Sequence, residues 1–114
     1  MFDYERLDAY QCSLRFAALA FQIIEALPRG NSHLADQLRR ATMSIPLNIT
    51  EGSGKTTDKD RRRYNAIARG SAMECGAILD VLRIQNPSLG ADAEIEEAKR
   101  LLVRTVSMLS RMSR

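Results

Sequence analysis

The chain has no tryptophan, a single histidine, two cysteines, three prolines and only 5% aromatic residues in its 114. With so little aromatic mass, the core must be built from Leu, Ile, Ala and Met, a composition that suits packed helices better than a β-sandwich. Cys12 and Cys75 stand alone, without a CxxC pair or clustered histidines, so neither a zinc site nor a disulfide framework is expected; a reducing cytoplasm is. Long apolar runs are also missing. The longest candidate, "FAALAFQII", is interrupted by Gln22, and Asp3, Glu5 and Asp8 occupy positions where an export signal needs basic residues, so neither a membrane span nor a leader is expected. At this length the expectation is one domain, residues 1–114, with no room for a separate catalytic lobe.

What is present is helical periodicity. Leu7, Tyr10, Leu14, Ala17, Phe21 and Ile24 follow steps of three and four, with Asp3 as a candidate cap and Pro28 and Gly30 as the stop. A second line, Phe16, Leu19, Ile23 and Leu27, runs beside it, a surplus of apolar surface that hints at burial against another subunit. A second helix opens at Asn31 or Ser32 and carries Leu34, Leu38, Ala41, Ile45 and then a polar Asn48 on one stripe. Thr57 and Asp60 resemble a capping box opening a third helix with Tyr64, Ile67, Ser71, Cys75, Ile78 and Leu82 as its seam, closed by "NPSLG". A fourth begins near Asp92, with Ile95, Ala98, Leu102, Thr105, Leu109 and Met112 facing inward. Four helices joined by short turns predict an all-α, up-down-up-down four-helix bundle.

"SIPLNITEGSGK", Ser44 to Lys55, gives conflicting signals. Alternating Ile45, Leu47 and Ile49 read as a strand, but the helical stripe runs through them and no partner strand exists. Gly54, Lys55 and Thr56 supply the tail of a phosphate loop, yet Ile49 stands at its first glycine position and no strand precedes it. The expected solution is a kinked helix. Pro46 removes one backbone donor and crowds the Thr42 carbonyl, an inward Asn48 bonds the freed backbone groups, and Gly52 and Gly54 terminate the helix.

"QLRRATMSIPLNITEGSGK", followed by "ARGSAMECGAILD", resembles the bacterial four-helix-bundle family encoded in intervening sequences of large-subunit ribosomal RNA genes. The matching positions are Arg39, Arg40, Ala41, Ser44, Ile45, Pro46, Asn48, Glu51 and Gly52, then Gly70, Ser71 and Glu74, with a weaker extension to "FDYERLDAY". The resemblance implies an up-and-down bundle that assembles into a ring, typically a homopentamer. It also implies kinship with accessory proteins of diversity-generating retroelements, which use basic surfaces to engage nucleic acid and a reverse transcriptase, and it implies no enzymatic activity.

Charge supplies the functional candidate. The formal net charge is +3, and between Arg39 and Arg69 eight Lys or Arg face three acids, so this segment more than accounts for the whole excess. Lys59, Arg61, Arg62 and Arg63 fall in the first turns of the third helix, where cations oppose the macrodipole. Up-down topology brings Arg111 and Arg114 to the same end, while Asp80, Asp92, Glu94, Glu96 and Glu97 gather at the other, which predicts a subunit electrically polar from end to end. The candidate nucleic-acid-binding residues are therefore Lys55, Lys59, Arg61, Arg62, Arg63 and Arg69, with Arg39 and Arg40 secondary because the family resemblance also allows them a structural role. Lacking aromatic interleaving beyond Tyr64, this surface suits phosphates rather than base-specific readout, and RNA is the expected partner. The alternatives are a solvated face, or an adaptor that presents its helices to a protein such as a polymerase or reverse transcriptase. An enzyme lacks a supporting constellation: His33 and Ser44 are poorly placed for each other, the Glu94, Glu96 and Glu97 group has a first-turn explanation, and no cofactor or metal is expected.

Overall fold

The computed structural model describes residues 2–113 and contains four helices: α1 (Asp8–Glu25), α2 (Ser32–Ser53), α3 (Asp58–Gln85) and α4 (Asp92–Met112), preceded by a 3₁₀ turn at Asp3–Arg6. Among the described residues there is no strand. Each helix packs on two others, α1 and α3 both lying between α2 and α4, so the four form an up-down-up-down bundle measuring 47 × 24 × 21 Å. The α2–α3 contact is the most extensive.

Helix starts follow local chemistry in one case and not in another. The Thr57 hydroxyl accepts the Asp60 backbone N–H at 3.2 Å, the expected cap of α3. Asp3, by contrast, does not cap α1. It lies in the 3₁₀ turn, and α1 starts at Asp8 behind Leu7 with no side-chain cap.

The inward face of α1 is also rotated from the expected one. Phe16 and Ile23 of the second line are buried and Leu14 of the first is 39% exposed, but Ile24 of the first line is buried too, so the core face lies between the two lines and is completed by Ala9, Cys12, Ser13 and Ala20. In α3 the buried seam runs through Asn65, Ala68, Ala72, Cys75, Ile78, Leu79 and Leu82, leaving Ile67 exposed. The α4 seam is as expected from Ile95 to Leu109, with Met112 half-buried.

The Ser44–Lys55 segment is helical, and α2 continues through a buried Pro46 without interruption. Asn48 donates from Nδ2 to the Ser44 carbonyl at 2.8 Å and to the Ser44 hydroxyl at 2.9 Å. It therefore reinforces the turn that contains the proline, but its acceptor is Ser44 and not the Thr42 carbonyl that the proline deprives of a donor.

Gly52 and Gly54 are not helix terminators of the left-handed kind. Gly54 caps α2 at φ −85°, an ordinary right-handed conformation, and the glycines with positive φ are Gly30 (94°) and Gly90 (74°), in the α1–α2 and α3–α4 turns. Gly52 is buried inside the last turn of α2. A Cβ there would lie 3.2 Å from the Tyr64 Cβ and 3.3 Å from both the Arg61 carbonyl and the Asn65 Oδ1. Its missing side chain is what lets α2 approach the backbone of α3.

At the opposite end, two side-chain amides clasp each other. Asn31 Nδ2 donates to Asn86 Oδ1 at 3.0 Å and Asn86 Nδ2 returns a bond to Asn31 Oδ1 at 2.9 Å. Each amide also bonds a backbone carbonyl, Pro28 for Asn31 and Leu82 for Asn86. The pair ties the α1–α2 turn to the end of α3, which explains why Asn31, at the N-cap position of α2, makes no side-chain cap bond.

Candidate nucleic-acid interface

The starts of α1 and α3 and the ends of α2 and α4 share one end of the bundle, where Leu7, Gly52, Arg61, Asn65 and Met112 line a common crevice. The basic run divides here according to the rotational phase of α3. Arg61 turns inward: its Nη1 donates to the Lys55 carbonyl at 2.8 Å and its Nη2 pairs with Asp58. Hydrogen bonding to Arg61, and then its charge, hold the Asp58 carboxyl below the usual carboxylate range. Arg61 thus closes the α2–α3 turn.

Lys55 pairs with Glu51 at 3.5 Å, and its ammonium lies 5.1 Å from the centre of the Tyr64 ring. Arg69 donates from Nε to the Ser110 hydroxyl at 2.7 Å, linking α3 to α4, and its Nη1 contacts the Met73 sulfur at 3.4 Å.

Lys59, Arg62 and Arg63 are different. All three are exposed and make no ion pair among the described residues; the Arg63 guanidinium lies 5.8 Å from the centre of the Tyr64 ring. Three full positive charges therefore stand on the outer surface of the first turns of α3, with the helix dipole opposing them.

Arg39 and Arg40 do not join this group. Ser44 and Ser71 bond across the α2–α3 contact at 2.8 Å, which puts Arg40 level with Cys75, about 20 Å along the axis from Arg62 at 1.5 Å per residue. Arg39 is paired with Asp36 at 3.3 Å. Arg111 reaches the expected end and bonds Ser107, whereas Arg114 lies outside the described residues.

The expected end-to-end polarity is much reduced. At the far end Arg83 pairs with both Glu96 and Asp92, Lys99 with Asp80, and Arg100 with Glu97. A hydrogen bond from Arg83 holds the Glu96 carboxyl below its ordinary range. The acids there are largely compensated, and among the exposed cations without an ion pair, which also include Arg15, Arg29, Arg40 and Arg104, the three Lys59, Arg62 and Arg63 are grouped within five residues at one helix start.

The remaining motif positions are mainly structural. Ser44, Asn48 and Ser71 form one hydrogen-bonded group along the α2–α3 contact, with Pro46 and Gly52 buried next to it. Glu51 serves Lys55. Gly70 and Glu74 are exposed: a Cβ on Gly70 would meet nothing within 4 Å, and Glu74 has no ion pair among the described residues.

Residues with reactive side chains are occupied elsewhere. Ser44 bonds Ser71 and not His33, which is exposed at the other end of α2. Cys75 is buried at 3.7 Å from the Thr42 hydroxyl, and burial pushes its thiol up to about 12. Among the described residues no three His, Cys, Asp or Glu side chains are grouped to hold a metal ion.

The model of the 23S rRNA-intervening sequence protein family matches residues 5–111, nearly the whole described chain. The chain belongs to that family. No curated protein matches it. The four-helix architecture fits that membership, and within it Ser44, Asn48 and Ser71 by hydrogen bonds and Gly52 by close packing hold α2 against α3. No described helix of this family member is long and apolar enough to cross a membrane.

Proposed function

We propose that the chain is a non-catalytic, self-associating RNA-binding protein of the cytoplasm, and that Lys59, Arg62 and Arg63 are its principal phosphate contacts. The observation that carries this reading is the exposure of those three cations without carboxylate partners at a helix start that opposes cations. A phosphate would relieve both their mutual repulsion and their conflict with the dipole. With Tyr64 already covered by Lys55 and Arg63, no free aromatic platform adjoins them, so binding follows backbone charge rather than base identity.

Self-association is supported by apolar side chains left in solvent on two faces of the bundle, including Met43, Leu47, Met73 and Val103. Five copies, as the family resemblance implies, would repeat the basic group around a ring. A cytoplasmic setting suits two free, buried thiols.

Fluorescence anisotropy of a labelled structured RNA, titrated with protein at two salt concentrations, tests the reading. Affinity should fall steeply between about 50 and 200 mM salt, with a log–log slope near −0.9 for each phosphate neutralised on a duplex. Binding that salt leaves unchanged, or no binding by the parent protein, would favour the adaptor reading, in which the exposed apolar faces engage a protein partner.

A further inference from the structure

The outer face of α3 is apolar over most of its length. Ala66, Gly70, Met73, Ala77, Val81 and Ile84, all exposed, follow one another in steps of three and four, so they keep to one line opposite the buried seam for about 27 Å at 1.5 Å per residue. The large members are open to solvent, Met73 at 54% and Ile84 at 79%. Beside the line, between α3 and α4, lies a shallow, almost wholly apolar groove of about 420 Å³, with Met73 on one lip and Val103, itself 69% exposed, on the other. A Cβ on Gly76 would come no closer than 3.9 Å to Leu102, so the groove floor has room for a side chain from outside.

The same line begins with charge. Lys59 and Arg63 precede Ala66 at the same spacing, and neither has an ion pair among the described residues. One free carboxylate, Glu74, flanks the line about midway. A matching surface is therefore apolar along its length and acidic at one end only.

The backbone narrows the choice further. The N–H and C=O groups of α3 and α4 are bonded within their own helices and offer no edge for a strand to join, so an occupant must satisfy its own backbone, as a helix does. A second copy of this chain does not supply that helix. Among the described residues of α1 and α2, the large apolar side chains left open are Leu14, Met43 and Leu47, too few for such a line. Two α3 lines do not suit each other either: in parallel they set Lys59 and Arg63 against the same cations, and in antiparallel they lay them on Val81 and Ile84.

We infer that this face of α3, with the groove beside it, docks an amphipathic helix of a different protein, acidic at one end. The inference goes beyond the proposed function and rests on it at one point. A helix docked in this way covers Lys59 and Arg63, two of the three proposed phosphate contacts, so the helix and RNA exclude each other.

The probe is a fluorescently labelled synthetic helix of about 20 residues, long enough to span the line, with leucines in steps of three and four along one side and glutamates at one end. It is titrated by anisotropy in the absence of RNA. The parent should bind it, and should bind a counterpart with lysines at that end at least about 10-fold more weakly. Met73→Glu/Ile84→Glu, at exposed positions that leave the core alone, should weaken binding at least about 30-fold, whereas Met43→Glu/Leu47→Glu on α2 should leave it unchanged. No binding by the parent, equal binding of the two peptides, or equal losses in the two variants would overturn the docking site. A Met73→Glu/Ile84→Glu protein of lower mass than the parent by light scattering would overturn it too, because the face would then be a contact between copies. RNA added to the complex should release the peptide; RNA and peptide bound together would overturn their exclusion. A parent that binds the peptide but no RNA would refute the proposed function and leave the docking site standing.

Discussion

Gly52→Val should lower the stability of the bundle by about 3 kcal/mol, in the range of overpacking a closed core. The reason is local. A Cβ at this position already meets the Tyr64 Cβ at 3.2 Å and the Arg61 carbonyl at 3.3 Å, and the second of these is backbone that cannot rotate away. A branched side chain would force α2 from α3, the most extensive contact in the bundle, and would disturb the turn that Arg61 closes through the Lys55 carbonyl. Gly52→Ala should be far milder, because a helix-propensity gain of about 1 kcal/mol offsets a strain of similar size. Urea titration reads both variants as shifts in midpoint at unchanged slope. A valine variant as stable as the parent would show that the close approach of the two helices is not a constraint.

The Asn31–Asn86 clasp should show strong coupling. Asn31→Ala removes both reciprocal bonds and leaves the Asn86 amide half-buried with only its Leu82 partner, so each single alanine variant should cost about 2 kcal/mol. Once one member is gone the other has little left to lose. The double variant should therefore cost clearly less than the two singles together, by roughly 1 kcal/mol or more in a double-mutant cycle. Additive losses would mean that the two amides act through their own backbone partners and not through each other.

These two sites also mark the limit of what the chain discloses before it is folded. Helix number and order were legible, because each seam repeats over several turns and Thr57 and Asp60 announce the start of α3. Rotational phase was harder. Apolar residues cover more than one face of α1, so the line through Leu14 looked as good as the line through Phe16, and the core face in fact falls between them, taking Phe16 and Ile23 from one and Ile24 from the other. Gly52 lies in the last turn of a helix, where glycine ordinarily signals termination, and only the position of Tyr64 reveals that it serves contact instead. Asn31 and Asn86 are distant in sequence, and each has a local explanation as a turn or cap residue that conceals the pairing.

The candidate interface was legible as a charge excess but not as a site. Its composition depends on which way each residue of α3 faces: Arg61 turns inward to Asp58 and the Lys55 carbonyl, while its neighbour Arg62 faces solvent. Arg39 and Arg40 are close to the run in sequence and far from it along the bundle. Compensation at the far end required the α3–α4 register, which sets Arg83 against Glu96 and Lys99 against Asp80. The exposed apolar faces carry no sequence signature apart from residues such as Met43, Leu47 and Val103, which any amphipathic helix can tolerate singly.

The most direct measurement of the central claim is RNA affinity across a series of salt concentrations for two charge-removal variants, one losing three cations and the other two, at different places on the bundle. Lys59→Gln/Arg62→Gln/Arg63→Gln removes the outward group; Arg39→Gln/Arg40→Gln removes cations of the same segment that lie about 20 Å away. The first should bind at least about 100-fold more weakly and lose about two to three units of salt slope, and the second should stay near the parent value. Equal losses in the two variants, or a first variant that binds as the parent does, would contradict the assignment of Lys59, Arg62 and Arg63 as the phosphate-binding surface.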